Sequence, residues 1–245
     1  MSFDGRTPYR EDMDIEAAID RQLEGLRPSD VLQAFPIYAR RVHLKRFLAH
    51  YELFRMIMDW PGDIVELGIY RGVSLMSWAN FLEIHCMGDR QRKVWGFDNF
   101  TGLSTLAPQD GAARPDVGKM EGGYRDGGKM LEEAIGIFDS DRFLPRKDRV
   151  TLVAGDICET VPQWTIDNPG VRISLLHFDC DLYKPTLTAL KALWPLVVSG
   201  GVVAFDEYGI PPWEGESKAV DEFFGSVQLQ RFTWSSNPGA YVIKP

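Results

Sequence analysis

Cysteine is scarce in this chain. Only Cys86, Cys158 and Cys180 occur, an odd number without the paired spacing of a metal or redox site. That excludes a disulfide framework and points to reduced core thiols in a cytoplasmic protein. Positive charge is also short. Lys and Arg number 27 against 35 Asp and Glu, for a net charge of −8. A general phosphate-backbone binder carries a basic face, so a nucleic-acid partner is not expected. No run of eighteen apolar residues occurs, so no membrane span is expected. The opening "MSFDGRTPYREDMD" is polar and lacks the apolar centre of a signal peptide. No internal repeat is visible.

What is present is hydrophobic content of 44%, enough for a sizeable core in one large domain or a domain with an appendage. Residues 1–60 read as an N-terminal helical extension, with a short helix over Ile15–Leu26 and a longer one within 39–60. There Val42, Leu44, Phe47, Leu48, Leu53, Phe54 and Ile57 recur at helical spacing. Residues 61–245 read as the main domain. "IVEL", "KVWGF", "RVTLVAG", "VRISLLHF" and "VVAF" are strand-like runs, separated by helical ones such as "VSLMSWANFLEIHC", "MLEEAIGIF" and "TLTALKALWPLV". Strands alternating with helices predict an α/β fold with a largely parallel sheet and helices on both faces. "LQRFTWS" and "GAYVIK" read as a terminal antiparallel pair, which brings the sheet to seven strands. The Gly- and Asp-rich stretch 101–129 is long for a connection and reads as a lid.

In sheets of this kind ligands bind beyond the carboxyl ends of the strands. The first strand runs into "ELGIYRG", where Gly68 and Gly72 let backbone approach a ligand before a helix N-terminus. The second strand ends in Asp98, the place of an acid that accepts from a ribose diol, and the third in Asp156, where an adenine edge could donate. This describes a nucleoside pocket of dinucleotide or S-adenosylmethionine type. The competing structural reading is plain: turn glycines, and an Asp98 that caps "DNFTG".

A second group of acids sits at the next two strand ends: Asp179 and Asp181 in "HFDCDLYKPT", then Asp206 and Glu207 in "FDEY". Like charges ~4 Å apart repel by about 4 kcal/mol per pair at an effective dielectric of ~20. Protonation relieves this, and a hard divalent cation does so better; oxygen donors suit Mg²⁺, Ca²⁺ or Mn²⁺. Alternation along an extended chain points Asp179 and Asp181 the same way. Exposed loop acids and helix caps are the bland alternative.

The segments "IVELGIYRGVSLMSWA", "VWGFDNFTGL", "LLHFDCDLYKPTLTALKALWPLVVSGGVVAFDEY" and "GESKAVDEFF" resemble, in order, the macrocin O-methyltransferase-like family of Mg²⁺- and S-adenosylmethionine-dependent sugar O-methyltransferases. The resemblance covers roughly residues 37–225. It implies a Rossmann-like class I methyltransferase fold. It implies that Glu66, Gly68 and the start of the next helix near Ser74, with Arg71 and Gly72 of the same loop, bind the methionine side of the cofactor. Asp98 would bind its ribose and Asp156 with Ile157 its adenine. Asp179, Asp206 and Glu207 would hold the metal, and Asp181 would be the general base, with the roles of Asp179 and Asp181 open to exchange. Many relatives have Asp-Asp where this chain has Asp206-Glu207, and Cys180 stands where a small residue is usual. Relatives also tend to self-associate, which makes a homo-oligomer the expectation.

The expected reaction is transfer of the S-adenosyl-L-methionine methyl group to a hydroxyl of a sugar-containing acceptor. A cation acidifies and positions that hydroxyl, and a carboxylate takes its proton. Trp213, Tyr208 and Tyr183 flank the acids and are candidate acceptor contacts; His43 and His50 read as structural, and His177 as a neighbour on the acids' face. A catechol-type O-methyltransferase would use the same fold and metal, and acceptor profiling separates the two. An NAD-dependent oxidoreductase is disfavoured, because "GIYRG" lacks the middle glycine of the dinucleotide fingerprint. A non-catalytic nucleoside-binding interaction protein leaves the acid group unexplained, and absence of cofactor binding would favour it.

Overall fold

The computed structural model describes residues 14–245. The reading of the opening stretch as lacking a signal core falls almost wholly in residues 1–13, outside the described residues. The chain forms two compact units, divided between Arg46 and Phe47. In the first, α1 (Ile15–Leu23) starts at Asp14, whose carboxylate accepts from the Ala17 amide at 3.0 Å, a standard N-cap. Short helices α2 (Pro28–Gln33) and α3 (Phe35–Tyr38) follow, each with proline in its first turn, where the missing amide costs nothing. Helix α4 (Arg41–Ile57) begins next; its Leu53, Phe54 and Ile57 are buried and belong to the second unit.

The second unit alternates strand and helix: β1 (Asp63–Leu67), α5 (Val73–His85), β2 (Val94–Asp98), α6 (Lys129–Asp141), β3 (Val150–Ala154), α7 (Ile157–Asp167), β4 (Ile173–Phe178), α8 (Tyr183–Leu193), β5 (Val197–Phe205), α9 (Glu214–Phe224) and β6 (Ala240–Ile243). The sheet order is β3-β2-β1-β4-β5-β6. All pairs are parallel except β5 with β6. The chain winds outward from β1 to β3, crosses back, and winds outward again from β4 to β5. The order therefore reverses between β1 and β4, which places the ligand crevice at their carboxyl ends.

The sheet has six strands, not the expected seven. "LQRFTWS" meets β6 only through a single bridge, Gln230 with Tyr241, before the chain turns at Thr233 and Trp234. Helix α7 is a further difference, since Pro162 lies inside it. A proline there removes one amide bond, at a cost of ~3 kcal/mol. Burial of Ile157, Val161 and Trp164 against the sheet keeps the helix intact.

Alternation along the strands sorts the core into two faces. Val65, Leu67, Phe97, Leu176, Phe178, Val203 and Phe205 pack on the α7–α8–α9 side. Ile64, Val94, Leu175, Val202 and Ala204 pack on the α4–α5 side. Glu66 and His177 are register partners on the second face, both fully buried. Among the described residues, no helix is long and apolar enough to cross a membrane.

Candidate active site

Phe178 and Phe205 are register partners at the ends of β4 and β5, so Asp179 and Asp206 leave adjacent strands side by side. The Asp206 amide donates to the Phe178 carbonyl at 2.9 Å, one step beyond the ladder. Carboxylate oxygens of Asp179, Asp181 and Glu207 lie within 4.8 Å of one another. Asp181 does not arrive there by strand alternation, as expected from the sequence. Its φ is 63°, in the left-handed region, so a tight turn after Asp179 brings it back to the group. Such a conformation costs ~1–3 kcal/mol for a residue with a side chain and is characteristic of sites where geometry is imposed.

Asp206, expected among the metal ligands, groups instead with His50 and His177. Its carboxylate is fully buried and lies between Asn237 and His177. There one oxygen accepts from the Asn237 side-chain amide at 2.9 Å, and the other lies 3.6 Å from Nε2 of His177. Nδ1 of His177 lies 3.6 Å from Glu66. Burial alone would lower the His177 pKa, but the Asp206 and Glu66 carboxylates outweigh it and push it up to about 10. His177 thus lies buried between two carboxylates that favour its protonated form, and it meets the acid group through Asp206. His50 joins the same network, edge-on to His177 at 5.3 Å and tilted against Trp78 at 4.8 Å between ring centroids.

Glu207 falls in the group with Asp179 as expected, and Asp181 stands where Asp206 was expected. Burial, then Asp206, Asp181 and Asp179, hold the Glu207 carboxyl well above the usual carboxylate range. Its backbone amide donates at 2.8 Å to Glu216, a fully buried acid of α9. Burial and then Asp206 and Asp181 raise the Glu216 carboxyl too. Glu216 and Asn237 were not singled out from the sequence. Glu216 lies in the quoted "GESKAVDEFF", but only the packing of α9 under β5 reveals its role. Cys180 is a buried filler as expected, its sulfur 3.4 Å from the Thr186 hydroxyl and its thiol pKa raised by burial.

The residues expected to bind cofactor gather at the carboxyl ends of β1, β2 and β3, where they also bond to one another. Both Glu66 oxygens accept within the protein, one from the Ser74 hydroxyl and one from Trp78 Nε1 at 2.9 Å. Gly68 has φ +82°, and a Cβ there would stand 2.0 Å from the Asp179 carbonyl oxygen. The glycine therefore lets the β1 loop press directly on the acid-bearing loop. Gly72, at φ +80°, starts α5 and packs on Leu131. Asp98 accepts from the amides of Ile69 at 2.7 Å, Tyr70 at 3.1 Å and Phe100 at 2.7 Å. The capping reading of Asp98 is realised, and extended to the β1 loop. Asp156 caps α7 through the Cys158 amide at 2.8 Å, and Ile157 beside it is buried. Arg71 is exposed, 3.6 Å from Asp126 and over the Tyr70 ring.

The 101–129 stretch is a structured excursion with two single-turn helices, Pro108–Asp110 and Pro115–Val117, and a bridge from Arg114 to Lys119. Of the three aromatics named from sequence, Tyr183 and Tyr208 turn toward α9 and donate to Glu222 and Asp221. Trp213 instead packs against Tyr124 of the excursion, ring centroids 5.9 Å apart. The Tyr124 hydroxyl is pushed up to about 12, by burial first and then by Asp181 and Glu207, which puts it within electrostatic reach of the acids.

The model of the macrocin O-methyltransferase family matches residues 43–232. A 4'-O-methyltransferase of Streptomyces olivaceus, named for 8-demethyl-8-(2,3-dimethoxy-alpha-L-rhamnosyl)-tetracenomycin C, is 33% identical over 61% of this chain and 54% of its own length. A demethyldecarbamoylnovobiocin O-methyltransferase of Streptomyces niveus is 32% identical over 66% of this chain and 58% of its own. The chain thus matches little more than half the length of these relatives. Among solved structures, the calicheamicin methyltransferase CalS11 superposes with a TM-score of 0.89 at 28% identity, covering 97% of this chain and 94% of that one. A second CalS11 structure, described as an apo TDP-rhamnose 3'-O-methyltransferase, gives 0.78 at 30% identity over 95% of each chain. The O-methyltransferase NovP shares the fold, with a TM-score of 0.65 at 20% identity over 94% of this chain.

Proposed function

The chain belongs to the macrocin O-methyltransferase family, and on that premise we propose that it transfers the methyl group of S-adenosylmethionine to a hydroxyl of a sugar-bearing acceptor, with the help of a hard divalent cation. The observation that carries the cation half is the group formed by Asp179, Asp181 and Glu207. Its donors are all carboxylate oxygens, the set that suits Mg²⁺, and burial together with the neighbouring acids raises the Glu207 carboxyl. Within this group Asp179 and Glu207 would hold the cation and Asp181 would serve as base, while Asp206 stands behind them between His177 and Asn237. The relatives named above for rhamnose-bearing acceptors support the sugar half.

A bound Mg²⁺ would lower the pKa of an acceptor hydroxyl and fix its position. The protein does the rest. Gly68 seats the β1 loop on the Asp179 backbone, which couples the cofactor side of the crevice to the acids. Asp98 holds the same loop by the Ile69 and Tyr70 amides and keeps a lone pair for a ribose hydroxyl. Glu66 fixes the start of α5 through Ser74 and Trp78, so that the unpaired amides of that helix face the methionine carboxylate. Asp181 takes the acceptor proton as the oxygen attacks the methyl carbon in line with the departing sulfur. The product is the methyl ether and S-adenosylhomocysteine.

The test pairs two variants with two readouts. Asp179→Asn is expected to lose activity by about a thousandfold, with Mn²⁺ affinity measured by EPR falling in parallel. Asp181→Asn is expected to lower kcat by about a hundredfold or more with a much smaller change in Mn²⁺ affinity. Full turnover of the wild type in EDTA would remove the cation from the mechanism. Equal loss of Mn²⁺ affinity in both variants would make Asp181 a ligand and not the base.

A further inference from the structure

We propose that the acceptor sugar is read by a file of aromatic rings, Tyr70, Tyr124 and Trp213, and that the buried Lys119 holds the middle ring in place. The proposal rests on the sugar-acceptor reading above and deepens it.

Three loops at the carboxyl ends of the strands each supply one ring. Tyr70 comes from the loop after β1, Tyr124 from the excursion after β2, and Trp213 from the loop after β5. The Tyr124 ring centroid is 5.7 Å from that of Tyr70 and 5.9 Å from that of Trp213. Trp213 is buried beneath, whereas Tyr70 and Tyr124 remain 41% and 43% exposed. Tyr70 and Tyr124 also both hold left-handed backbone, φ 49° and 56°. A bulky residue in that region is an outlier with a cost of its own. The Tyr124 hydroxyl donates to the Val117 carbonyl at 2.8 Å, which leaves the ring, not the polar end, to meet a ligand. A pyranose has an apolar C–H face and an edge of hydroxyls. Laid on these rings, it can turn that edge to the carboxylates.

Tyr124 is held locally by its hydroxyl and by the backbone bonds of Leu103 to Gly122 and Gly123, and Lys119 anchors the excursion that carries it. Lys119 is 1% exposed, and its ammonium donates to the Asp110 carbonyl, the Pro212 carbonyl and the Glu214 carboxylate. All three of its protons are thereby matched, which is what makes a buried lysine tolerable. Asp110 in turn accepts from the Ala107 and Tyr183 amides at 2.6 and 2.7 Å. The clamp ties the excursion to the loop that carries Trp213 and to the start of α8. Tyr124 lies only five residues beyond Lys119. Lys119 is therefore a positioning residue, and the excursion is a preformed wall rather than a lid.

The experiment uses the full chain with S-adenosylmethionine and Mg²⁺, and TDP-rhamnose and a rhamnosylated phenol as acceptor probes. Tyr124→Ala is expected to raise the acceptor KM about tenfold, and Tyr124→Phe to restore it to within about twofold of wild type. Lys119→Met, with its fold checked by circular dichroism, is expected to raise the same KM with kcat changed less. Cofactor Kd by calorimetry and Mn²⁺ Kd by EPR are expected to stay within about twofold in all three. Wild-type turnover of a sugar probe with an unchanged KM in Tyr124→Ala overturns the platform alone. So does a matching loss of cofactor affinity. A folded Lys119→Met with wild-type KM overturns the clamp. Wild-type turnover of catechol but of neither sugar probe, or of no probe, overturns the functional reading and the platform with it.

Discussion

Asn237 donates from one side-chain nitrogen to the Asp206 carboxylate at 2.9 Å and the Asp206 carbonyl at 3.2 Å, and it lies 3.5 Å from Glu207. A neutral amide draws two carboxylates together without adding charge of its own. Its loss should let Asp206 and Glu207 spread under their mutual repulsion. Asn237→Ala is therefore expected to weaken Mn²⁺ binding by about tenfold, the scale of an outer partner of a metal site, with secondary structure unchanged. An unaltered Mn²⁺ Kd by EPR would show that Glu207 needs no such support. Asn237 was not legible in the sequence, because its contact is made 31 residues from Asp206 by the segment that leads into β6 and no pattern marks it. Asp179, Asp181 and Glu207 were legible, because acids at the ends of apolar strands are anomalous. The turn that delivers Asp181 was not, since alternation describes strands and β4 stops at Phe178.

The elements behind the site are held by charges that periodicity does not report. One Glu83 oxygen, from α5, accepts from Nε of Arg142 at 3.0 Å and Nε of Arg149 at 2.8 Å. Both guanidinium side chains are 2% exposed. Arg149 also donates to the Arg92 and Asp89 carbonyls, and Arg142 to Asp139 and the Lys147 carbonyl. This joins α5, the end of α6 and the start of β3. Removing the shared acid leaves two buried cations facing each other. Glu83→Ala is expected to destabilise the protein by roughly 3 kcal/mol, seen as a lower urea midpoint at unchanged m-value. A shift below ~1 kcal/mol would mean that the carbonyl acceptors alone suffice. Apolar spacing made the strands and most helices readable, but Pro162 concealed α7, and composition cannot distinguish the buried Lys119 of the excursion from a surface lysine.

For the molecule as a whole, the reversal of strand order between β1 and β4 sets the glycine loop, the strand-end acids and the aromatic file around one crevice. The glycine loop and the strand-end acids followed from strands alternating with helices, whereas Tyr70 and Tyr124 did not. The burden this arrangement creates also acts on the whole fold. Asp179, Asp181, Glu207, Asp206 and Glu216 crowd one end of the sheet, and both Glu207 and Glu216 resist ionisation there. A cation that binds only the folded chain relieves this repulsion and stabilises by mass action. At a Mg²⁺ concentration of about one hundred times Kd, the gain is about 2.7 kcal/mol. For a chain of this size that corresponds to a rise in Tm of roughly 5–10 °C relative to EDTA. Asp179→Asn should abolish most of the rise, while Glu83→Ala should lower Tm yet keep it, because its charges lie away from the crevice. Equal Tm values for the wild type in Mg²⁺ and EDTA would show that the carboxylates are relieved by protons instead, and that the acid group is not a cation site.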